Sequence, residues 1–177
     1  MNTVVQMQNL VAPIISLDFV NHRYYQEILE IRSESSSDWN KKGIRDYLRI
    51  GKKRVGMVAK INNPIQDRSE QCAGRELEEI KVVGFTIYDI HRFEFEIREL
   101  MVCPNYRRRG IGKKMVEQLI SWLSGYRQQI TALVKEYNLG AQVFFRSVGF
   151  RYVKTLRNLY NDDDDKDTYL MRYLSRS

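Results

Sequence analysis

Arg98-Glu99-Leu100-Met101-Val102-Cys103-Pro104-Asn105-Tyr106-Arg107-Arg108-Arg109-Gly110-Ile111-Gly112 is the stretch on which the fold turns. It begins as an apolar strand, turns at Pro104-Asn105, and opens an amphipathic helix with three arginines and two glycines. Ile111, Met115, Val116, Leu119, Ile120 and Leu123 then recur at helical spacing. That order suits a phosphate-bearing ligand. Glycine lets the backbone come close, and a helix start offers unpaired N–H groups and the positive end of a dipole. The plainer reading of the same residues is a tight turn beside a solvated basic patch.

Outward from this element the chain alternates. Strands are expected over residues 81–90 and 92–102 before it, with a helix over 109–123 and a strand over 129–134 after it. A helix over 139–148 is closed by Gly149, which suits a left-handed cap. Strands over 151–156 and 168–173 flank the run Asp162-Asp163-Asp164-Asp165, which reads as a solvated hairpin tip. Toward the N-terminus lie a strand over 14–17 and a helix over 24–33 with Tyr25, Ile28, Leu29 and Ile31 on one side. A Ser-rich loop, a second helix over 42–49 and a strand over 54–61 follow. Polar residues 62–79, with Pro64 and Gly74, read as a long, mobile hairpin loop. There is no internal repeat. The pattern is α/β (α+β), antiparallel strands first and a β-α-β-α-β end, within one domain spanning residues 1–177.

Composition sets the outer bounds. Hydrophobic residues make up 43% and charged residues 29%, as in a globular protein with a real core. A formal charge of +7 points to an anionic ligand or partner without saying which. Cys72 and Cys103 make no disulfide framework and read as free thiols in a reducing compartment. His22 and His91 lack metal-ligand spacing. No Lys or Arg precedes His22, so a secretory n-region is missing, and no apolar run approaches the ~20 residues of a membrane span. A cytoplasmic protein with no membrane association is the expectation.

A second motif follows the first. Asn138, Phe145 and Gly149-Phe150 fall at the spacing of an Asn…aromatic…Gly-Phe element. Arg107-Arg108-Arg109-Gly110-Ile111-Gly112 takes the place of a [Gln/Arg]-x-x-Gly-x-[Gly/Ala] signature, with Val102-x-Pro104 before it. On these residues the chain resembles the GNAT superfamily of N-acyltransferases, nearest to the branch that acetylates ribosomal-protein and other protein N-termini. The resemblance is good over residues 81–173 and extends to the earlier part only in element order. It implies a central, mostly antiparallel mixed sheet of about seven strands, splayed between strands four and five and flanked by about four helices. It implies acetyl-CoA as co-substrate and no metal.

The resemblance also assigns residues. The pyrophosphate would sit on the backbone of Arg107, Arg108, Arg109, Gly110, Ile111 and Gly112, with Lys113 adding charge. The thioester arm would lie beside Leu100, Met101 and Val102, and the Val102 N–H would be the oxyanion donor. Core packing explains the side chains of Leu100 and Val102 equally well. Asn138 and Phe145 would touch the cofactor, although Asn138 also reads as a helix N-cap.

An amine must lose a proton before it attacks a thioester. Glu96 lies on the strand eleven residues before Arg107, where several GNAT enzymes carry a base. It is the first candidate, acting through water, against the alternative of an ion pair with Arg98. Glu94 and Glu99 are weaker candidates, because simple alternation puts Glu99 on the opposite face from Glu96 unless a bulge intervenes. Two positions depart from the ribosomal-protein branch. Leu133 stands where that branch has a glutamate, and Phe145 stands where it has a tyrosine that acts as general acid. That acid/base pair therefore does not transfer to this chain. Cys103 is near the signature, but direct transfer is expected over an acetyl-enzyme.

For the acceptor, a peptide or protein N-terminus is expected. Tyr160 resembles a peptide-holding tyrosine of that branch, and Tyr25, Tyr24 and Trp39 are aromatics placed to line a groove or fill a core. The alternatives are a small-molecule amine acetyltransferase (polyamine, amino sugar or antibiotic) and a catalytically silent acyl-CoA-binding module. A nucleic-acid partner is disfavoured, because the arginines already have an anionic ligand.

Overall fold

In the computed structural model, one mixed sheet organises the described residues, which are 14–33, 54–64, 78–157 and 167–175. The elements in chain order are β1 (Ile15–Phe19), α1 (Tyr25–Ser33), β2 (Arg54–Pro64), β3 (Glu78–Ile90), β4 (Glu94–Val102), α2 (Ile111–Ser121), β5 (Gln129–Lys135), α3 (Leu139–Ser147), β6 (Arg151–Leu156) and β7 (Thr168–Leu174). The seven strands lie in the order β1-β2-β3-β4-β5-β7-β6. Every neighbouring pair is antiparallel except β4 and β5, which are parallel. This is the expected sheet. The described residues hold three α-helices; the helix expected over 42–49 lies outside them.

Two apolar clusters sit on opposite faces of the sheet. The larger joins Met115, Val116 and Leu119 of α2 and Phe145 of α3 to Tyr88, Phe95, Ile97, Ile130 and Ala132. The smaller joins Ile28 and Ile31 of α1 to Val58, Val82, Phe85 and Ile87. Alternation along β2, β3 and β4 divides their side chains between these clusters, so burial on both faces fixes the register there.

The parallel ladder is short. It runs from Glu94↔Gln129 to Ile97↔Ala132 and stops. Beyond it, Leu133 to Lys135 pair with β7 and Glu99 to Val102 pair with β3. β4 and β5 therefore part after Ile97, leaving a gap with one unpaired edge of β4 along it.

Two expectations are corrected. First, Glu99 lies on the same face as Glu96. Ile87 pairs Glu99 while Tyr88 pairs Ile97, so Arg98 is the extra residue of a β-bulge. One inserted residue reverses the alternation, and Glu99 points with Glu96 to the α1 face. Second, the loop expected over 62–79 is shorter. The β2–β3 ladder continues through Asn62↔Ile80 to Pro64↔Glu78, and Pro64 ends its strand, where a missing N–H is tolerated. The remainder, residues 65–77, lies outside the described residues.

Candidate functional site

The junction of β4 with α2 carries two kinds of unpaired backbone donor. In an antiparallel ladder the N–H groups of successive residues point to opposite edges. Cys103 donates to the Val83 carbonyl at 2.9 Å. By that alternation Met101 and Glu99 direct their N–H groups to β3, and Leu100 and Val102 direct theirs into the gap. The Val102 carbonyl points the same way and accepts a bond from Arg107 Nε at 3.0 Å. Of the three strand residues expected beside the ligand, Leu100 and Val102 thus offer their backbone to it. Met101 does not, because β3 uses its N–H; its side chain packs with the α1-side cluster.

The loop that follows is shaped for an anion. Arg108 takes a left-handed φ of 63°, and Gly110, the N-cap of α2, a φ of 79°. A turn of this kind can direct successive N–H groups toward one concavity, and the first helical turn adds donors that have no partner within the helix. Only a glycine takes the Gly110 conformation without strain. Gly112 is closely packed: a Cβ there would lie 3.2 Å from the Phe144 ring and 3.5 Å from Leu100 Cδ2. Phe144, not singled out from the sequence, therefore stands against the mouth of the gap. Arg107, Arg108 and Arg109 are exposed around the loop, and Arg109 lies over the Tyr106 ring at 5.4 Å. Lys113 reaches Glu117 at 3.6 Å on an exposed face. The Ile111 side chain is in the core, so its contribution to the loop is its N–H.

Asn138 caps α3, its side chain accepting from Ala141 N at 3.0 Å. Phe145 is buried against Phe150 (ring centroids 4.9 Å apart) and Phe144 (5.2 Å). Tyr25 packs on the α1-side cluster. Tyr160, Trp39 and the Asp162 to Asp165 run lie outside the described residues.

The α1 face of β4 carries the acidic groups. Glu96 is held on both oxygens, by Arg98 Nη1 at 2.5 Å and His91 Nε2 at 3.0 Å. Asp89 beside it takes a bidentate pair from Arg54 at 2.6 and 2.9 Å, and that hydrogen-bonded guanidinium holds the Asp89 carboxyl below its ordinary range. Asp89, His91 and Glu96 bring three potential metal-ligand atoms within 4.8 Å of one another. Two guanidinium groups already neutralise the carboxylates, so the trio is an ion-pair network rather than a cation cage.

Glu99 is different. Its side chain is 11% exposed and meets Arg32 Nη2 of α1 at 3.1 Å. Its carbonyl accepts from Thr86 Oγ1 at 2.9 Å. Oε2 is buried without a hydrogen-bond partner among the described residues. Burial pushes the carboxyl up to about 7, against the opposing pull of Arg32.

The site is thus a cradle for an anion that opens on an unpaired strand edge. The chain matches the profile of the Acetyltransferase (GNAT) family over residues 25–150. It belongs to the GNAT family. This GNAT chain is 35% identical over 80 residues to N-alpha-acetyltransferase RimI of Mycobacterium tuberculosis, covering 45% of this chain and 49% of that protein. It is 27% identical over 97 residues to the ribosomal protein bS18-alanine N-acetyltransferase of Escherichia coli K12, covering 53% of this chain and 64% of that one. The matches thus span about half to two thirds of these curated relatives. Among solved structures, the Escherichia coli ribosomal-protein-S18-alanine N-acetyltransferase superposes with a TM-score of 0.68 at 20% identity, over 93% of this chain and 96% of that one. Arabidopsis thaliana NAA60, solved with a bisubstrate analogue, gives 0.69 at 20% identity, over 92% and 99%. These likenesses establish the GNAT fold. Among the described residues no helix is long and apolar enough to cross a membrane.

Proposed function

We propose that this chain transfers the acetyl group of acetyl-CoA to a primary amine, with the α-amino group of a protein or peptide N-terminus as acceptor. One observation carries the reading: the anion loop of Arg107 to Gly112 lies directly beyond a β4 edge whose Leu100 and Val102 N–H groups face an open gap. The pyrophosphate fits the loop and the first turn of α2, and the pantetheine amides fit the strand edge as a partial extra strand. The N-terminal acceptor draws support from the relatives, an N-alpha-acetyltransferase and a ribosomal protein bS18-alanine N-acetyltransferase.

In the proposed reaction Leu100 and Val102 align the arm. The Val102 N–H bonds the carbonyl oxygen as negative charge develops there, a term of ~3 kcal/mol in comparable sites. Arg107 holds the Val102 carbonyl, which lies on the same edge of β4 as the Val102 N–H. The amine attacks the thioester carbon in a ternary complex, the C–S bond breaks, and the thiolate leaves. A thiol pKa of ~8.5 makes it a fair leaving group, so Leu133 and Phe145, neither of which has an ionisable group, do not prevent the reaction.

A thiol-release assay over N-terminal peptides, lysine peptides and small amines tests the proposal, with turnover expected on N-terminal peptides. Turnover confined to small amines would replace the acceptor. Tight acetyl-CoA binding with no release for any amine would reduce the chain to a binding module. An amide-to-ester substitution at the Val102 N–H should lower kcat by about 10²–10³-fold.

A further inference from the structure

Transfer needs a group that takes the acceptor's proton, and the bulge at Arg98 changes which carboxylate stands nearest the open edge. Glu99 is one residue from Leu100 and three from Val102, roughly 3 Å and 10 Å along a strand. Glu96 is four and six residues away, roughly 13 Å and 20 Å if the bulge is ignored. A general base works within hydrogen-bond reach of its proton, directly or through one water. The anion loop opens α2, which packs on the face opposite α1. A donor anchored there and threaded through the gap presents its thioester toward the α1 face, where Glu99 lies. Glu96 has both oxygens committed to Arg98 and His91. Glu99 has one oxygen on Arg32 and one without a partner among the described residues.

We propose that Glu99 is the catalytic base of the acetyl transfer and that Arg32 is its positioning residue. The inference rests on the transfer reading above. The amine's ammonium form gives one proton to the Glu99 carboxylate, and the freed nitrogen attacks the thioester carbon. The N–C bond forms, and the C–S pair leaves with sulfur. The second nitrogen proton passes to the thiolate, and Glu99 returns its own to water.

The surroundings of Glu99 suit a base that works near neutrality. From α1 the charged neighbour is Arg32. From β3 come the apolar Phe85 and Ile87, with the Thr86 hydroxyl already given to the Glu99 carbonyl. Along β4 the same face carries the Cys103 thiol and the Glu96–Arg98 pair. Burial raises the carboxyl to about 7, so it is basic enough to take a proton and still ionised in part at neutral pH.

The test is the pH profile of kcat/KM with acetyl-CoA and an N-terminal peptide. An acid limb near pH 7 is expected in the native chain. Glu99→Gln should lower kcat by about 10²–10⁴-fold and abolish that limb, with the KM for acetyl-CoA held. Glu99→Asp should restore part of the rate with the limb present, and Glu96→Gln should keep the limb. A limb that survives Glu99→Gln, or disappears in Glu96→Gln, overturns the proposal. Should Glu99→Gln not fold, carboxyl ¹³C titration of the native chain bound to CoA supplies the readout: a glutamate titrating near 7 supports Glu99, and none above 6 overturns it. Absence of thiol release by the native chain with every amine is a separate result, because it removes the transfer reading itself.

Discussion

Glu99→Gln should change how stability depends on pH, whatever the acceptor is. In the folded chain burial raises the Glu99 carboxyl from its ordinary 4.5 to about 7. Between these values the folded state holds a proton that the unfolded chain has released. Stability from this group is therefore complete below pH ~4.5, falls as pH rises, and is gone above ~7. A displacement of roughly 2.5 in pKa, at ~1.4 kcal/mol for each whole step, amounts to about 3 kcal/mol. The substituted amide would keep an oxygen for Arg32 and cannot ionise, so the variant lacks this slope. All other groups titrate alike in both proteins and cancel. Urea unfolding of both, followed by tryptophan fluorescence from pH 4.5 to 8, should show the variant gaining about 3 kcal/mol relative to the parent. That is a shift in midpoint difference of about 1–3 M. A flat difference would mean that Glu99 titrates like a solvated carboxyl. A difference of opposite sign would mean that Arg32 outweighs burial, and either result would refute the electrostatic reasoning.

Other perturbations separate the parts of the site. Gly112→Ala places a Cβ 3.2 Å from the Phe144 ring at the mouth of the gap and should weaken CoA binding in calorimetry by about tenfold, with a destabilisation of ~1–3 kcal/mol. Arg107→Ala removes a cation and the bond that fixes the Val102 carbonyl, so both the CoA Kd and kcat should suffer, with a shallower salt dependence of CoA binding. Asn138→Ala removes the cap on Ala141 N and should lower Tm by about 2–4 °C, the equivalent of ~1 kcal/mol in a chain of this size. Arg32→Gln removes the cation that opposes burial, and the acid limb of the pH–rate profile should move to higher pH.

The order of elements was legible because each local rule agreed with the fold. Gly149, read as a left-handed cap, has a φ of 96°, and the strand expected over 151–156 is β6, Arg151–Leu156. The β4–α2 junction was legible for the same reason, since strand, turn and glycines sit together in sequence. The bulge at Arg98 was not. Nothing in Ile97-Arg98-Glu99 marks an inserted residue, because bulging is set by how β3 and β4 pair across the hairpin. Arg32 was also invisible: a charged residue at a helix end reads as solvated, and its buried state depends on a glutamate far along the chain. Phe144 was passed over beside Phe145, because its position is defined by Gly112 on another helix.

The four rungs between Glu94–Ile97 and Gln129–Ala132 have a mechanical consequence. They are the ladder that joins β1–β4 to β5–β7, so the sheet is two leaves on a short spine. On the proposed mode of binding, a donor paired with Leu100 and Val102 would lengthen that spine, and the small molecule would become a brace of the protein for as long as it is bound. Saturation at about a hundred times Kd adds ~2.7 kcal/mol to the folded state. The brace would be lost when the product departs, so the leaves would be joined more firmly within each turnover than between turnovers.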